Sequence, residues 1–153
     1  MDIEQLGLFG VFIAGAIPWF EAVGVVPLGI LAGLNPVLTV LFAVIGNTIT
    51  IFLFAYGAEA IRLWMQRRRQ AKNKPGESPR LVKAKKSFDR WGVYGLALLG
   101  PLTIGTQFAA MVSVAAGVKP LKASLIVVAA TVIWASAFGT LFGVLGFEFF
   151  DRG

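Results

Sequence analysis

Two long apolar stretches of this chain, residues 6–33 and 92–117, are each interrupted near the midpoint by proline and polar residues. Proline removes a helical hydrogen bond and clashes with the preceding turn. Broken or polar backbone at bilayer depth is tolerated only where it is buried in protein or lines a watery cavity. A repeated break of this kind indicates the binding site of a membrane transporter. The interrupting residues are Pro18, Glu21 and Pro27 in the first stretch and Pro101, Thr103, Gly105, Thr106 and Gln107 in the second.

The composition predicts an integral membrane protein. Hydrophobic residues make up 57% of the 153 residues and charged residues only 14%, which departs strongly from the usage of a soluble domain. A helix needs ~20 apolar residues to cross a bilayer, and four blocks exceed that length. A chain of this size therefore forms one all-α membrane domain. The four blocks are residues 6–33, 36–61, 92–117 and 120–147.

The sequence lacks the residues that most enzymes and metal sites use. It contains no cysteine and no histidine, which excludes disulfides, thiolate chemistry, histidine proton relays and zinc or haem ligation by those residues. It also shows no acidic metal cluster, no glycine-rich phosphate loop and no paired carboxylates within the apolar blocks. We therefore expect neither an enzyme nor a bound cofactor or metal.

Positive charge is concentrated in the centre of the chain. Eleven of the 14 Lys and Arg lie between Arg62 and Arg90. Beside membrane spans, such a tract is typical of a cytoplasmic loop, and we do not expect it to bind nucleic acid. We expect residues 62–90 to contact anionic lipids of the inner leaflet, in part through an amphipathic helix around residues 81–91. The protein would then reside in the cytoplasmic membrane of a prokaryote, with this loop inside.

Two topologies compete for the four blocks. In one, all four cross the membrane and both termini are cytoplasmic. In the other, residues 6–33 and 92–117 form re-entrant hairpins with arms of about 13 residues, or ~20 Å of helix, and both termini are external. The hairpin topology places 13 of the 14 basic residues inside and leaves the acidic residues near both termini outside, so the positive-inside rule favours it. The expected breaks of these hairpins are Pro18, Pro27, Pro101 and Gly105.

The two halves of the chain share a pattern with an offset of 84 residues. Gly33 and Pro36 mark the end of the first interrupted stretch, and Gly117 and Pro120 mark the end of the second, since glycine stops a helix and proline starts the next. Halves that each contain one hairpin and one crossing must run in opposite directions, as in many transporters. Alternatively, the shared pattern reflects only the common use of Gly and Pro at helix ends. We predict repeat one at about 6–66, a cytoplasmic linker at about 67–91 and repeat two at about 92–150.

Glu21 is the one ionisable residue well inside an apolar block. An isolated carboxylate at this depth is costly, so it must be neutral, paired or facing water. A carboxyl that takes up and releases a proton suits a coupling role; alternatively, a neutral Glu21 only holds the hairpin tip by hydrogen bonds. The other residues expected to line a substrate site are Asn47, whose buried amide needs several partners, and Thr103, Thr106 and Gln107 from the second half.

Several motifs together carry a family resemblance. They are the segment Glu21-Ala22-Val23-Gly24-Val25-Val26-Pro27-Leu28-Gly29, the pair Gly46-Asn47, the central basic loop and the run at residues 101–106. In these motifs the chain resembles the small multidrug export protein family over most of its length. That family is similar to the DedA/VTT membrane proteins, so the resemblance implies a fold with two opposed re-entrant hairpins. Characterised DedA/VTT members translocate lipids, which the resemblance extends to this chain as an expectation.

The sequence as a whole predicts an all-α integral membrane protein with inverted repeats, each a re-entrant hairpin plus a transmembrane helix. The leading function is secondary transport, proton-linked, of a lipid-like or amphipathic solute. We expect a homodimer or larger homo-oligomer, because so small a unit seals a pathway poorly. The alternatives are a channel whose hairpin tips form a filter, and a non-transporting scaffold that binds anionic lipid or a partner protein through residues 62–90.

Overall fold

Helices account for the whole of the described fold. The computed structural model describes residues 3–72 and 92–151, with side chains as far as residue 144. Over these ranges there are six helices and no strand, which confirms the all-α prediction. The amphipathic helix expected around residues 81–91, and most of the predicted linker, lie outside the described residues. The helices are α1 (Ile3–Ala16), α2 (Glu21–Leu31), α3 (Pro36–Gln70), α4 (Gly92–Thr103), α5 (Thr106–Ala115) and α6 (Pro120–Asp151).

Length divides these helices into two classes. Helix α3 has 35 residues and α6 has 32, and both are long and apolar enough to cross a membrane. The other four have 10 to 14 residues, well below the ~20 that a crossing needs. Helix α1 packs against α2, and α4 packs against α5. The apolar stretches at 6–33 and 92–117 are therefore each a pair of short helices and not one continuous span.

The described residues form two compact units that share the long helices. The first unit contains α1, α2, the part of α3 up to Thr50 and the part of α6 from Val128 onward. The second contains α3 from Ile51 onward, the pair α4 and α5, and α6 up to Val127. Each short pair thus belongs to one unit, together with a segment of each long helix. The units cut across chain order, so the repeats proposed from the sequence stay a prediction.

The first unit is held together by close approach of helix backbones. A Cβ added to Gly15 would lie 2.7 Å from the carbonyl oxygen of Ala43. A Cβ added to Gly46 would collide with the carbonyl oxygen of Phe12. Small residues allow membrane helices to approach this closely, so α1 and α3 cross with no room for a side chain at either glycine. The buried apolar residues of this core are Val11, Ala22, Val25, Val26, Ile30, Ala43 and Ala135.

Helices α2 and α5 end in the same hydrogen-bonded motif, 84 residues apart. After α2, the N–H of Gly33 (φ 86°) donates to the carbonyl of Ile30 at 2.9 Å. After α5, the N–H of Gly117 (φ 103°) donates to the carbonyl of Val114 at 2.9 Å. The residue after each glycine donates to the carbonyl five residues before it, at 3.1 and 3.0 Å, which completes a Schellman motif. Proline opens the next helix in both cases, so backbone geometry matches the offset found in the sequence.

Substitution of Gly46 by Ala tests the backbone contact between α1 and α3. The added methyl group would collide with the carbonyl of Phe12, so the helices must separate, and we expect the free energy of unfolding to fall by about 1–3 kcal/mol. Gly57→Ala, on the same helix, is the control because nothing lies within 4 Å of its added Cβ. Since Ala favours helix, its stability should be unchanged or higher. Thermal unfolding in detergent measures both, and equal melting temperatures would contradict the crossing.

Candidate functional site

The first interruption is a turn at residues 17–20, between α1 and α2. Pro18 lies in this turn, and the N–H of Glu21 donates across it to the carbonyl of Ile17 at 3.2 Å. Trp19 (φ 72°) and Glu21 (φ 39°) both have left-handed backbone. That conformation costs an L-residue roughly 1–2 kcal/mol, and strain of this kind persists only where the surrounding structure enforces it. The packing of the first unit therefore holds the turn in a conformation that its own sequence disfavours.

Burial separates Glu21 from the two aromatic residues before it. Glu21 is 3% exposed, whereas Trp19 is 78% exposed and Phe20 is 57% exposed. The carboxyl thus lies on the buried side of the turn, where α2 continues into the apolar core, and the rings lie on the outer side. Since a charged carboxylate in apolar surroundings is costly, this side chain needs hydrogen bonds, a proton or water.

Two of the four expected break residues lie inside helices. Helix α2 continues for four residues beyond Pro27, and α4 continues for two residues beyond Pro101. A proline removes one backbone donor, and a helix survives that loss where tertiary packing holds its remaining turns. The chain reverses instead at the turn that contains Pro18 and at Gly105. Of the four expected breaks, those at Pro18 and Gly105 therefore coincide with interruptions of the helices, whereas those at Pro27 and Pro101 were wrong.

The second interruption depends on a single glycine. Gly105 has φ 94° and ψ 151°, a region that essentially only glycine occupies. Its N–H donates to the carbonyl of Gly100 at 2.7 Å, which closes the end of α4. Its carbonyl accepts from the N–H of Ala109 at 2.9 Å, which is the first helical hydrogen bond of α5. Gly105 therefore both ends one helix and starts the next.

Directly after this break, Thr106 and Gln107 are fully buried. The hydroxyl of Thr106 donates to Oε1 of Gln107 at 3.1 Å, which orients the amide of Gln107 within the second unit. Thr103 is placed differently, because it is exposed and its hydroxyl donates to the carbonyl of Leu99 in its own helix at 2.9 Å. The structure thus brings two of the three candidates from this half together and leaves the third at the surface.

Asn47 is fully buried in the first unit. It follows Gly46 and so lies beside the crossing of α1 and α3, and its backbone carbonyl accepts from the hydroxyl of Thr50 at 3.0 Å. A side-chain amide offers two donors and one acceptor, and burial of such groups is stable only when they are hydrogen-bonded. Together with Glu21, Asn47 gives the first unit two of the buried polar side chains that the sequence singled out.

Sequence reasoning missed two further buried hydroxyls in the second unit. The hydroxyl of Ser113 donates to the carbonyl of Ala109 at 2.7 Å. The hydroxyl of Ser124 is buried and has no hydrogen-bond partner among the described residues. Serine in an apolar helix commonly bonds to its own backbone or joins neighbouring helices. Nothing in the sequence therefore separated these two residues from ordinary packing positions.

A metal site is not formed by the described residues. Across residues 3–72 and 92–144, no three His, Cys, Asp or Glu side chains lie close enough together to hold an ion. Glu21 and Glu59 belong to different units. Both carboxylate oxygens of Glu59 accept from the guanidinium of Arg62, at 2.8 and 2.9 Å.

The chain has two helices long enough to cross a membrane and two pairs of short helices that bury polar side chains. These features are those of a small helical membrane protein. Within this class, the chain belongs to the family described as "Putative small multi-drug export protein", whose model matches residues 21–136. The match covers well over half of the chain and begins at Glu21. It confirms the family resemblance found in the sequence. Neither a curated protein nor a solved structure matches this chain.

Substitution of Gly105 by Ala tests the second interruption. The backbone there lies in a region that a Cβ disfavours strongly, so we expect the free energy of unfolding to fall by about 1–3 kcal/mol. Gly95→Ala is the matched control, because Gly95 lies in α4 with nothing within 4 Å of an added Cβ; it should not lose stability. Melting temperatures in detergent compare the two. A Gly105→Ala protein as stable as the control would show that the turn can adopt another conformation at no cost.

Proposed function

We propose that this protein is a secondary transporter that exports a lipid-like or amphipathic solute, coupled to proton movement through Glu21. The observation that carries the proposal is a carboxyl that is 3% exposed at the start of α2, directly after a strained turn. An ionisable group buried at membrane depth is by default a functional position, because charge there is costly. The family description names export, and two helices are long and apolar enough to cross a membrane.

Glu21 would couple transport to protons by a change in charge that accompanies a change in exposure. While neutral, its carboxyl is stable beside the apolar core of the first unit. When water reaches the turn, the carboxyl can ionise, and the solvated state then becomes the favoured one. The left-handed backbone of Trp19 and Glu21 keeps the turn above its local energy minimum, so a rearrangement there releases strain. A turn with two conformations, whose populations depend on a proton, is what coupling requires.

We infer that the two halves are inverted repeats, each a re-entrant hairpin plus a membrane-crossing helix. Two pairs of left-handed residues support this: Glu21 with Gly105 at the interruptions, and Gly33 with Gly117 at the following helix ends. Each pair is separated by 84 residues. Because the short helices cannot span a bilayer, each half crosses once, and the two halves run in opposite directions. The DedA/VTT resemblance implies the same plan.

Each unit, taken by itself, offers buried polar groups that could contact a solute. Thr106 and Gln107 supply an oriented hydroxyl and amide from the second unit, and Asn47 supplies an amide from the first. Thr103, which is exposed, would contact a solute or a second copy of the chain from the surface. A unit of this size seals a pathway poorly, so we propose that it works as a homodimer or larger homo-oligomer.

Cysteine accessibility tests the re-entrant topology. The chain has no cysteine, so Asp2→Cys, Asp151→Cys and Lys122→Cys each report on one position alone. With external termini and the basic loop inside, an impermeant thiol reagent added to intact cells should label the first two variants and spare Lys122→Cys. Labelling of Lys122→Cys together with protection of both termini would contradict the hairpins and favour four full crossings.

Replacement of Glu21 by Gln tests the coupling role. Gln keeps the size and much of the hydrogen-bonding capacity of the neutral acid but cannot release a proton. We expect a normal melting temperature and a loss of proton-coupled flux in reconstituted vesicles, while exchange without a gradient persists. Flux is followed with a fluorescent short-chain phospholipid and a pH-sensitive dye. Glu59→Gln is the control, because Glu59 belongs to the second unit and already pairs with Arg62 at 2.8 Å, and it should keep its coupling.

Two results would overturn this reading. Unchanged pH dependence in Glu21→Gln would make Glu21 a structural residue of the turn and remove the coupling proposal. Rapid dissipation of a solute gradient by the unaltered protein, without any proton movement, would indicate a channel instead of a transporter.

A further inference from the structure

The end of α3 changes from apolar to cationic within about one helical turn. The turn at residues 61–65 exposes apolar side chains on several sides of the helix, with Trp64 52% exposed. Gln66 follows, and then Arg67, Arg68 and Arg69 in succession. An abrupt change of this kind on a long apolar helix is typical of the boundary between the membrane and water, where Trp favours the interface.

Helix α3 is long enough to carry this boundary from one membrane surface to the lipid phosphates of the other. Helix α3 begins at Pro36, where the side chain of Asn35 accepts hydrogen bonds from the N–H groups of the first turn at 3.0 and 3.2 Å. From there to residue 65 are about 30 residues, or ~45 Å of helix. A bilayer is ~30 Å thick in its hydrocarbon core and ~40–45 Å with its headgroup regions. If Pro36 lies at one surface, the arginines therefore lie at the other.

The end of α3 has more basic than acidic residues. From Ile51 to the end of α3, the acidic residue is Glu59, and both its oxygens are engaged by Arg62. The next three cations, at residues 67–69, follow within two turns of that pair. Lys72 adds a fourth. Sites of this net charge at the headgroup level attract anionic lipid.

Arg68 is preorganised for a phosphate. Its guanidinium carbon lies 4.0 Å from the centroid of the Trp64 ring, one helical turn earlier. A guanidinium stacked on an aromatic face keeps its in-plane N–H groups available and loses little freedom when it binds. The planar fork of these donors matches the oxygens of a phosphate.

We propose that Trp64, Arg67, Arg68 and Arg69 form a binding site for the phosphate headgroup of an anionic phospholipid. The apolar turn before the arginines favours a lipid over a nucleic acid or a soluble protein, because it lies where acyl chains meet headgroups. The site is separate from Glu21 and does not depend on the transport proposal. Bound lipid fixes the depth of α3 in the bilayer.

The test compares melting temperatures of the purified full chain in nanodiscs of phosphatidylcholine with and without phosphatidylglycerol. A ligand that binds only the folded state raises its stability, so phosphatidylglycerol should raise the melting temperature of the unaltered protein. The variant Arg67→Gln/Arg68→Gln/Arg69→Gln should lose most of that rise while it matches the unaltered protein in phosphatidylcholine alone. Added salt should reduce the rise, because the headgroup contact is ionic and partly exposed.

A charge-matched control separates this site from the net charge of the central tract. Lys74→Gln/Arg80→Gln/Lys83→Gln removes three charges of the same tract outside α3 and should keep most of the rise. An equal loss in both triple variants would overturn the site and indicate a diffuse field from the whole tract. An undiminished rise in the arginine variant would also overturn it. If inorganic phosphate or a short RNA gives the same rise in phosphatidylcholine nanodiscs, the ligand is a soluble anion and the lipid assignment is wrong.

Discussion

The backbones of α1 and α3 come into contact at Gly15 and Gly46, and this contact fixes the distance between the two helices. If two helices touch through side chains, the side chains can change rotamer when the helices shift. Where a backbone carbonyl lies against a glycine, no such adjustment is available. Because α1 is fixed near its last turn, the chain must reverse within residues 17–20 to return α2 against the same core. This short reversal accounts for the left-handed backbone of Trp19 and Glu21 and carries the Glu21 carboxyl to the buried side.

The two interruptions reach a similar outcome by different physical means. In the second unit, Gly105 adopts a backbone conformation that is open to glycine at little steric cost, and buried Thr106 and Gln107 follow it. In the first unit, residues with side chains occupy left-handed positions, so the turn is stabilised by its surroundings and not by its own sequence. The titratable group lies in the strained turn. That asymmetry is why we assign proton coupling to the first unit and solute contacts to both.

Helix α3 carries features of interest both near its start and at its far end. Its first part carries the backbone contact at Gly46 and the buried amide of Asn47, and its far end carries the cationic turn at residues 67–69. The start of this helix belongs to the first unit and its later part to the second. The residues proposed for transport and those proposed for lipid binding can therefore be tested by separate variants.

Apolar length and glycine conformation act within a few residues. Local sequence was therefore enough to predict the all-α structure, the two helices long enough to cross, and the glycine stops after α2 and α5. It also singled out Glu21 as a buried ionisable position. The folded chain was needed to find that the helices continue through Pro27 and Pro101, that Thr103 is exposed, and that Gly46 has no space for a side chain. Each of these outcomes depends on packing between segments distant in the chain, which no local pattern encodes.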